Sequence, residues 1–352
     1  MSQRQVAMVM DLNKCLGCHT CTVACKRLWT KRDGQSHMYW NTVNTQPGIG
    51  TPHGFESMGG GFDDAGSARP GHRPTVEEFG KAWDFNHHEV AFGGNPDARL
   101  MADGGHAGKG PNWDEDVGGG DYPNSHFFYL PRLCNHCTHP ACLEACPRQA
   151  ISKRENDGIV LIDEDHCRGY RFCQEACPYK KIYYNEVAGV SQKCIFCFPR
   201  IDEGVTTACS RQCPGRVRFV GYLDDPDGPI HKLVHRFQVA LPLHAEYGTQ
   251  PNVYYVPPLS PPRLDEALEH TDEPRIPTEY LISLFGPRVP EVLATLQRER
   301  ERVRQGETSE LMDLLISRKW LDMFGPYTRH PRTVETNYTQ SVIKFHRKGE
   351  AL

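Results

Sequence analysis

Fifteen cysteines fall into four tight groups, and thiolates gathered at that density are ligands for soft metal. The groups are Cys15, Cys18, Cys21 and Cys25; Cys134, Cys137, Cys142 and Cys146; Cys167, Cys173 and Cys177; and Cys194, Cys197, Cys209 and Cys213. No cysteine lies outside them, and Pro follows the last member of the second, third and fourth. Runs of the form C-x2-C-x2-C-x3-C, often ended by Pro, wrap iron–sulfur cubes, with the last cysteine serving the other cluster of a pair. The chemistry expected is electron transfer. A disulfide framework would need an even count and belongs to small chains without a core. Zinc is the more serious rival, since C-x2-C pairs also build tetrahedral thiolate sites. One zinc, however, does not need four cysteines within eleven residues, as the first group supplies.

Fifteen thiolates fill three four-ligand sites and one three-ligand site. In the third group Tyr170 stands where a second cysteine belongs, giving Cys167-x2-Tyr170-x2-Cys173-x3-Cys177-Pro178. A phenol is a poor ligand for soft iron, so three 4Fe–4S clusters and one 3Fe–4S cluster are expected, with Tyr170 a non-ligand at the vacant corner. An ordinary packing aromatic beside a cluster completed by some other ligand is the competing reading of Tyr170.

The elements that must hold these groups follow from repetition. Glu144-Ala145-Cys146-Pro147 reappears as Glu175-Ala176-Cys177-Pro178, with Ile151 and Ile182 at matching offsets. An apolar stretch leads to Asp and, four residues later, Cys at both Met8–Asp11 and Val160–Asp163. Short strands flanking cysteine loops describe a ferredoxin core, and Ile151 to Ile162 should be its hairpin. The interval from Cys25 to Cys134 is rich in Gly, Pro, Asp and Asn and reads as irregular coil over 44–72 and 93–121. Its aromatics (Trp40, Phe55, Phe62, Trp83, Phe85, Phe92 and Trp113) favour an ordered segment packed on the core or a partner. The acidic run Trp113-Asp114-Glu115-Asp116 reads as a solvated or contact loop. Beyond Gly221, prolines over 239–263 indicate extended chain, and helices are expected over 277–285, 290–304 and 309–318. The run Arg298-Glu299-Arg300-Glu301-Arg302 reads as an exposed helix face.

Other residues bound the function. Net charge is −4, which gives no case for nucleic acid, and mean hydropathy is −0.57. No apolar run approaches the ~20 residues of a membrane span. No secretory h-region precedes Cys15, so no export signal of the chain's own is expected. The histidines His19, His136, His139, His87 and His88 read as hydrogen-bonding neighbours, because cysteine already fills the four-ligand sites. Lys26, Arg148, Arg168, Lys180 and Lys181 are candidates to offset cluster charge, with solvated surface the alternative.

With an aromatic in the second slot of its third group, the chain resembles the iron–sulfur β subunits of the DMSO-reductase family of molybdoenzymes, in the nitrate reductase branch. The likeness is carried by Asp11-Leu12-Asn13-Lys14-Cys15, Tyr39-Trp40, Gly110-Pro111-Asn112-Trp113-Asp114-Glu115-Asp116, Leu133-Cys134-Asn135-His136-Cys137, Pro178-Tyr179-Lys180-Lys181 and Pro257-Pro258. Lys26, where the other groups have Pro, departs from the pattern without removing a ligand.

The resemblance implies an α+β fold of two ferredoxin-like modules in pseudo-twofold arrangement, with a coil-rich insertion and a C-terminal extended and helical arm. Residues 1–30 with 186–225 form one module and 126–185 the other; 31–125 is the insertion, and 226–352 the arm that meets a partner. It implies one 4Fe–4S cluster on Cys15, Cys18, Cys21 and Cys213, and a second on Cys25, Cys194, Cys197 and Cys209. A third falls to Cys134, Cys137, Cys142 and Cys177, and the 3Fe–4S cluster to Cys146, Cys167 and Cys173. The partners implied are a molybdenum-bis-pterin α subunit with its own cluster and a haem b γ subunit. The chain itself would be a non-catalytic wire. A periplasmic site, reached with a twin-arginine-tagged partner, is expected; the cytoplasmic face of the membrane is the alternative. The Gly-rich insertion and Arg168-Gly169-Tyr170-Arg171 look most like ethylbenzene dehydrogenase. Perchlorate, chlorate, selenate and nitrate reductases and dimethylsulfide dehydrogenase are alternatives, and a free polyferredoxin carrier is a reading of another class.

Overall fold

A computed structural model describes residues 4–79, 94–97 and 118–330. Trp83, Phe85, His87, His88, Phe92 and the run Gly110 to Asp116 lie outside the described residues.

Strand β1 (Val6–Asp11) is buried along its whole length, which its unbroken apolar run requires. The next strand, β2 (Thr42–Gln46), overlaps the start of the stretch over 44–72 read as coil. It pairs antiparallel with β3 (Phe128–Arg132), from Thr42 opposite Arg132 to Gln46 opposite Phe128. The insertion therefore leaves and re-enters the core side by side. Its TVNTQ sequence is wholly buried yet mostly polar, so no hydrophobic alternation betrays it.

Two hairpins carry the repeat. β4 (Ile151–Lys153) pairs with β5 (Val160–Ile162), and β6 (Ile182–Asn185) pairs with β7 (Val190–Lys193). Both turn the same way: Gly158 N–H reaches back to Arg154 O at 3.0 Å, and Gly189 N–H to Asn185 O at 2.8 Å. The expected hairpin from Ile151 to Ile162 is present, and Ile182 opens its counterpart.

The largest sheet takes β1 at its interior, with β8 (Arg218–Tyr222) antiparallel on one side. On the other side lies β10 (Val253–Val256), parallel to β1 and flanked by β9 (Leu241–Pro242). The Pro-rich segment expected as part of an outlying arm is thus extended, but it lies in the core sheet. A parallel neighbour to β1 is the position most fully covered by side chains, and Val253 and Val256 are completely buried there. β11 (Pro262–Leu264) and β12 (His270–Pro274) form a separate ribbon.

The C-terminal helices are Thr278–Phe285, Val289–Arg304 and Glu310–Ile316, close to the spans expected. Each buries one stripe against the main core, with Leu284, Val292, Leu296 and Leu311 among the buried residues. Ser309 caps the last helix by accepting from Met312 N–H at 3.2 Å. Among the described residues no helix is long and apolar enough to cross a membrane.

The described part of the insertion is packed. Trp40, Phe55 and Phe62 are buried. Gly60 passes so close to the helix Phe172–Ala176 that an added Cβ would lie 2.7 Å from Ala176 O, and Gly61 N–H donates to the same carbonyl at 2.9 Å. Glycine here serves close approach.

Truncating Val253 to Ala should cost about 2 kcal/mol, whereas Leu264→Ala in the outlying ribbon should leave stability nearly unchanged. Thermal unfolding of the two variants checks whether the Pro-rich segment is core.

Candidate metal centres

The four cysteine groups share one local path. The residue just before the second ligand slot has positive φ in every group: Gly17 (64°), His136 (43°), Gly169 (66°) and Phe196 (51°). This left-handed kink turns the slot back toward the first cysteine. Where a side chain is present, as at His136 and Phe196, the conformation is strained and must be held by its surroundings. The third ligand slot is in each case the second residue of a helix: Cys21 in Thr20–Trp29, Cys142 in Ala141–Glu144, Cys173 in Phe172–Ala176 and Cys209 in Ala208–Arg211. In three groups Pro follows the last cysteine and disfavours helical geometry there, so the helix stops short. Lys26 lifts that restriction, and the first helix runs on to Trp29.

These paths bring distant cysteines together. Cys15, Cys18, Cys21 and Cys213 line one recess with Leu16, His19 and Arg218, around about 330 Å³ partly open to solvent. Cys25, Cys194, Cys197 and Cys209 line a second, with Trp29, Trp40, Asn41, Phe196 and Thr207. Cys142 feels the charges of Cys177, Cys134 and Cys137, and Cys173 those of Cys167 and Cys146. Among the described residues no three Cys, His, Asp or Glu side chains converge on a point that would hold a single ion. Four thiols lining one recess are a donor set that an iron–sulfur cluster takes.

Burial raises the thiols. Cys15 is pushed up to about 12, Cys173 to about 12 and Cys197 to about 11, and Cys25, Cys142 and Cys194 lie well above the ordinary value. Bare thiolates are costly in this interior, so the sites suit a cationic iron core that compensates them. Donors are aimed at the sulfurs. Trp29 Nε1 stands 3.1 Å from Cys197 Sγ, and Asn41 Nδ2 3.2 Å and Arg218 Nη2 3.4 Å from Cys21 Sγ. The backbone N–H groups of Ala150, Ser191, Phe196 and Val217 reach Cys146, Cys167, Cys194 and Cys213 at 3.4–3.5 Å. Such donors stabilise sulfur-centred charge and tune reduction potentials.

Of the cations singled out in the sequence, Lys180 and Lys181 are wholly buried, while Arg148 and Arg168 are exposed. Burial pulls Lys180 down to about 8, opposed by Cys177 and Glu175, and its Nζ donates to Glu175 O at 2.8 Å. Lys26 is half-buried and ties its helix to the carbonyls of Gln35, Ser36 and Met38. Trp29, Asn41 and Arg218 were not legible as site residues, because each reaches a sulfur distant in sequence. His136 accepts from Val160 N–H at 3.1 Å through Nδ1, and burial holds it well below the usual histidine range. His139 stacks on Phe62 and bonds Glu144 at 2.6 Å. Tyr170 is 53% exposed, with its ring tilted toward Phe172.

Hairpins, ligand turns and sulfur-lined recesses together define an iron–sulfur electron-transfer protein with a ferredoxin-like α+β domain. Residues 125–223 match the family described as "4Fe-4S dicluster domain". Over 329 residues the chain is 53% identical to dimethylsulfide dehydrogenase subunit beta of Rhodovulum sulfidophilum, covering 92% of this chain and 99% of that protein. It is 55% identical to chlorate reductase subunit beta of Ideonella dechloratans (92% and 100% covered). Its identity to respiratory nitrate reductase subunit beta of Haloferax mediterranei is 58% (88% and 90% covered). The chain belongs to the iron–sulfur β subunits of DMSO-reductase-family molybdoenzymes. It is a non-catalytic electron-transfer subunit whose catalytic partner carries molybdenum.

Ligand cysteines from all four groups, Cys21, Cys25, Cys134, Cys177, Cys194 and Cys209 among them, pack in or against the main hydrophobic core. Stripping iron with a chelator should therefore loosen that core. Near-UV circular dichroism should collapse and protease resistance fall as iron leaves; retention of both would show that the core stands without its clusters.

Proposed function

We propose that the chain relays electrons through three 4Fe–4S clusters and one 3Fe–4S cluster between the molybdenum subunit, which holds a cluster of its own, and a haem b subunit. The first cube falls to Cys15, Cys18, Cys21 and Cys213. The second falls to Cys25, Cys194, Cys197 and Cys209, and the third to Cys134, Cys137, Cys142 and Cys177. The three-iron cluster falls to Cys146, Cys167 and Cys173. One-electron transfer is what the clusters supply; the protein supplies position, hydrogen bonds and burial.

The observation that carries this reading is the kink shared by the four ligand turns. Gly169 has the same left-handed backbone as Gly17, His136 and Phe196, and Arg171 after Tyr170 repeats the left-handed His19 after Cys18. Tyr170 thus occupies a ligand slot by backbone path while offering a phenol that soft iron does not take. The matching hairpins β4–β5 and β6–β7 support a pseudo-twofold pair of modules, one from residues 126–185 and one from 1–30 with 186–225. Substrate choice lies at molybdenum in the partner. The reading of an ethylbenzene or related hydrocarbon-hydroxylating dehydrogenase rests on the insertion and on Arg168-Gly169-Tyr170-Arg171. Its assay is ethylbenzene-dependent dye reduction by the complex, run against turnover of dimethylsulfide, chlorate, perchlorate, selenate and nitrate. A periplasmic site, reached folded beside a twin-arginine-tagged partner, is part of the proposal. Cell fractionation that leaves the complex on the cytoplasmic face would overturn it.

Stepwise reduction of the purified complex, followed by EPR with iron counted, tests the cluster set. About 15 irons beyond the partner's own cluster, with a signal present in the oxidised state, is expected. A silent oxidised sample holding about 16 would place a fourth ligand at the corner beside Tyr170. Tyr170→Cys should itself raise the count to about 16 and abolish the oxidised signal. Trp29→Phe should keep full iron and lower one cube's potential by roughly 20–60 mV, the value of one hydrogen bond to Cys197.

A further inference from the structure

We propose that Arg218, oriented by Asn41, is the fixed charge that raises the potentials of the two cubes nearest it. The first, on Cys15, Cys18, Cys21 and Cys213, should be raised more than the second. This rests on the cluster assignment proposed above.

Arg218 opens β8 and is only 1% exposed. Its Nη2 donates to Cys21 Sγ at 3.4 Å and to Asn41 Oδ1 at 2.7 Å, and its Nη1 lies 3.7 Å from Met8 Sδ. Among the described residues no carboxylate pairs with it. A guanidinium so placed is unfavourable unless an anion faces it. The groups that face it are sulfurs. A guanidinium stays charged in a protein interior, and Cys21 Sγ is the cluster sulfur within its reach. Other deeply buried cations, although Lys180 and Lys193 also lie near Cys177 and Cys142, spend their N–H groups on backbone or hydroxyl oxygens. Arg132 donates to Tyr179 O, Lys181 to Thr42 Oγ1, Lys180 to Glu175 O, and Lys193 to Cys194 O.

Asn41 makes the arrangement span two sites. Its Oδ1 accepts from Arg218, while its Nδ2 donates to Cys21 Sγ at 3.2 Å and to Thr22 Oγ1 at 3.3 Å. Arg218 lines the recess of Cys15, Cys18, Cys21 and Cys213; Asn41 lines that of Cys25, Cys194, Cys197 and Cys209. A thiolate-bound cluster gains negative charge when reduced, and a nearby fixed positive charge favours that state. The effect falls with distance, so the cube bonded through Cys21 moves more than the one beyond Asn41. Arg218 is a positioning and tuning residue; it need not ligate iron.

The test is potentiometric EPR titration of the whole complex carrying Arg218→Gln, Arg218→Lys or Asn41→Ala, with iron counted in each. Arg218→Gln should retain iron and shift two cubes to lower potential, the first more than the second, leaving the other two clusters unmoved. Arg218→Lys should restore most of the shift, and Asn41→Ala should move the same two cubes less. Full iron with unmoved potentials would overturn the proposal, as would an equal shift of all four clusters. Loss of iron in both Arg218 variants would overturn it too, by making the residue a folding element. The unsubstituted complex decides the cluster count separately, so failure of the assignment and failure of the tuning role give different results.

Discussion

Sulfur charge held in an apolar interior is the constraint on which the rest of this structure turns. An exposed thiol ionises only above about pH 8.5, and burial drives Cys25, Cys142 and Cys194 well above that. Iron removes the proton and leaves thiolates whose charge the protein must still meet. It does so with backbone N–H groups at Cys146, Cys167, Cys194, Cys197 and Cys213, with the Trp29 indole, and with Asn41 and Arg218 at Cys21. The backbone donors Ala150, Phe196 and Val217 are local, but Trp29 and Arg218 come from segments 168 and 197 positions from their sulfurs, so satisfying those sulfurs and closing the fold are one requirement.

The main sheet answers the same requirement. β1 delivers the first cysteine loop through Asp11, whose carboxylate caps the turn at Asn13 N–H at 3.1 Å. β8 follows the last cysteine group and returns antiparallel to β1, which sets Cys213 beside Cys15 and Cys21. The C-terminal helices close over this end: Lys14 Nζ donates to Leu315 O at 2.6 Å, and Arg216 Nη1 to Ser317 O at 2.7 Å. Two cationic side chains from cluster loops thus meet the carbonyl end of the helix Glu310–Ile316, where the helix dipole favours positive charge.

What was legible in the sequence follows from range. The ligand turns, the hairpin from Ile151 to Ile162 and the three C-terminal helices are written in local spacing, so pattern alone exposes them. β2 was hidden because its buried face is Thr, Asn and Gln, held by partners such as Arg132 and Lys181 across the chain. β10 was read as extended but not as core, since its place beside β1 depends on a parallel pairing that no local signal encodes. Arg218 and Asn41 escaped for the same reason: separated by 177 positions, they meet only at Cys21.

Lys26 shows how a small departure from a repeat acquires structural meaning. In the other groups Pro after the last cysteine disfavours helical geometry at that cysteine, as at Cys177, where ψ is 110°. Without Pro, Cys25 remains in a helix that continues through Trp29. That extra turn carries the indole N–H to Cys197, a cysteine of the fourth group, and leaves Lys26 free to fasten Gln35, Ser36 and Met38. A proline would satisfy the ligand pattern equally well, yet it would end the helix before Trp29 and remove Lys26 together with its three bonds. The first group's exception is therefore what joins the first cysteine helix both to the second recess and to the start of the insertion.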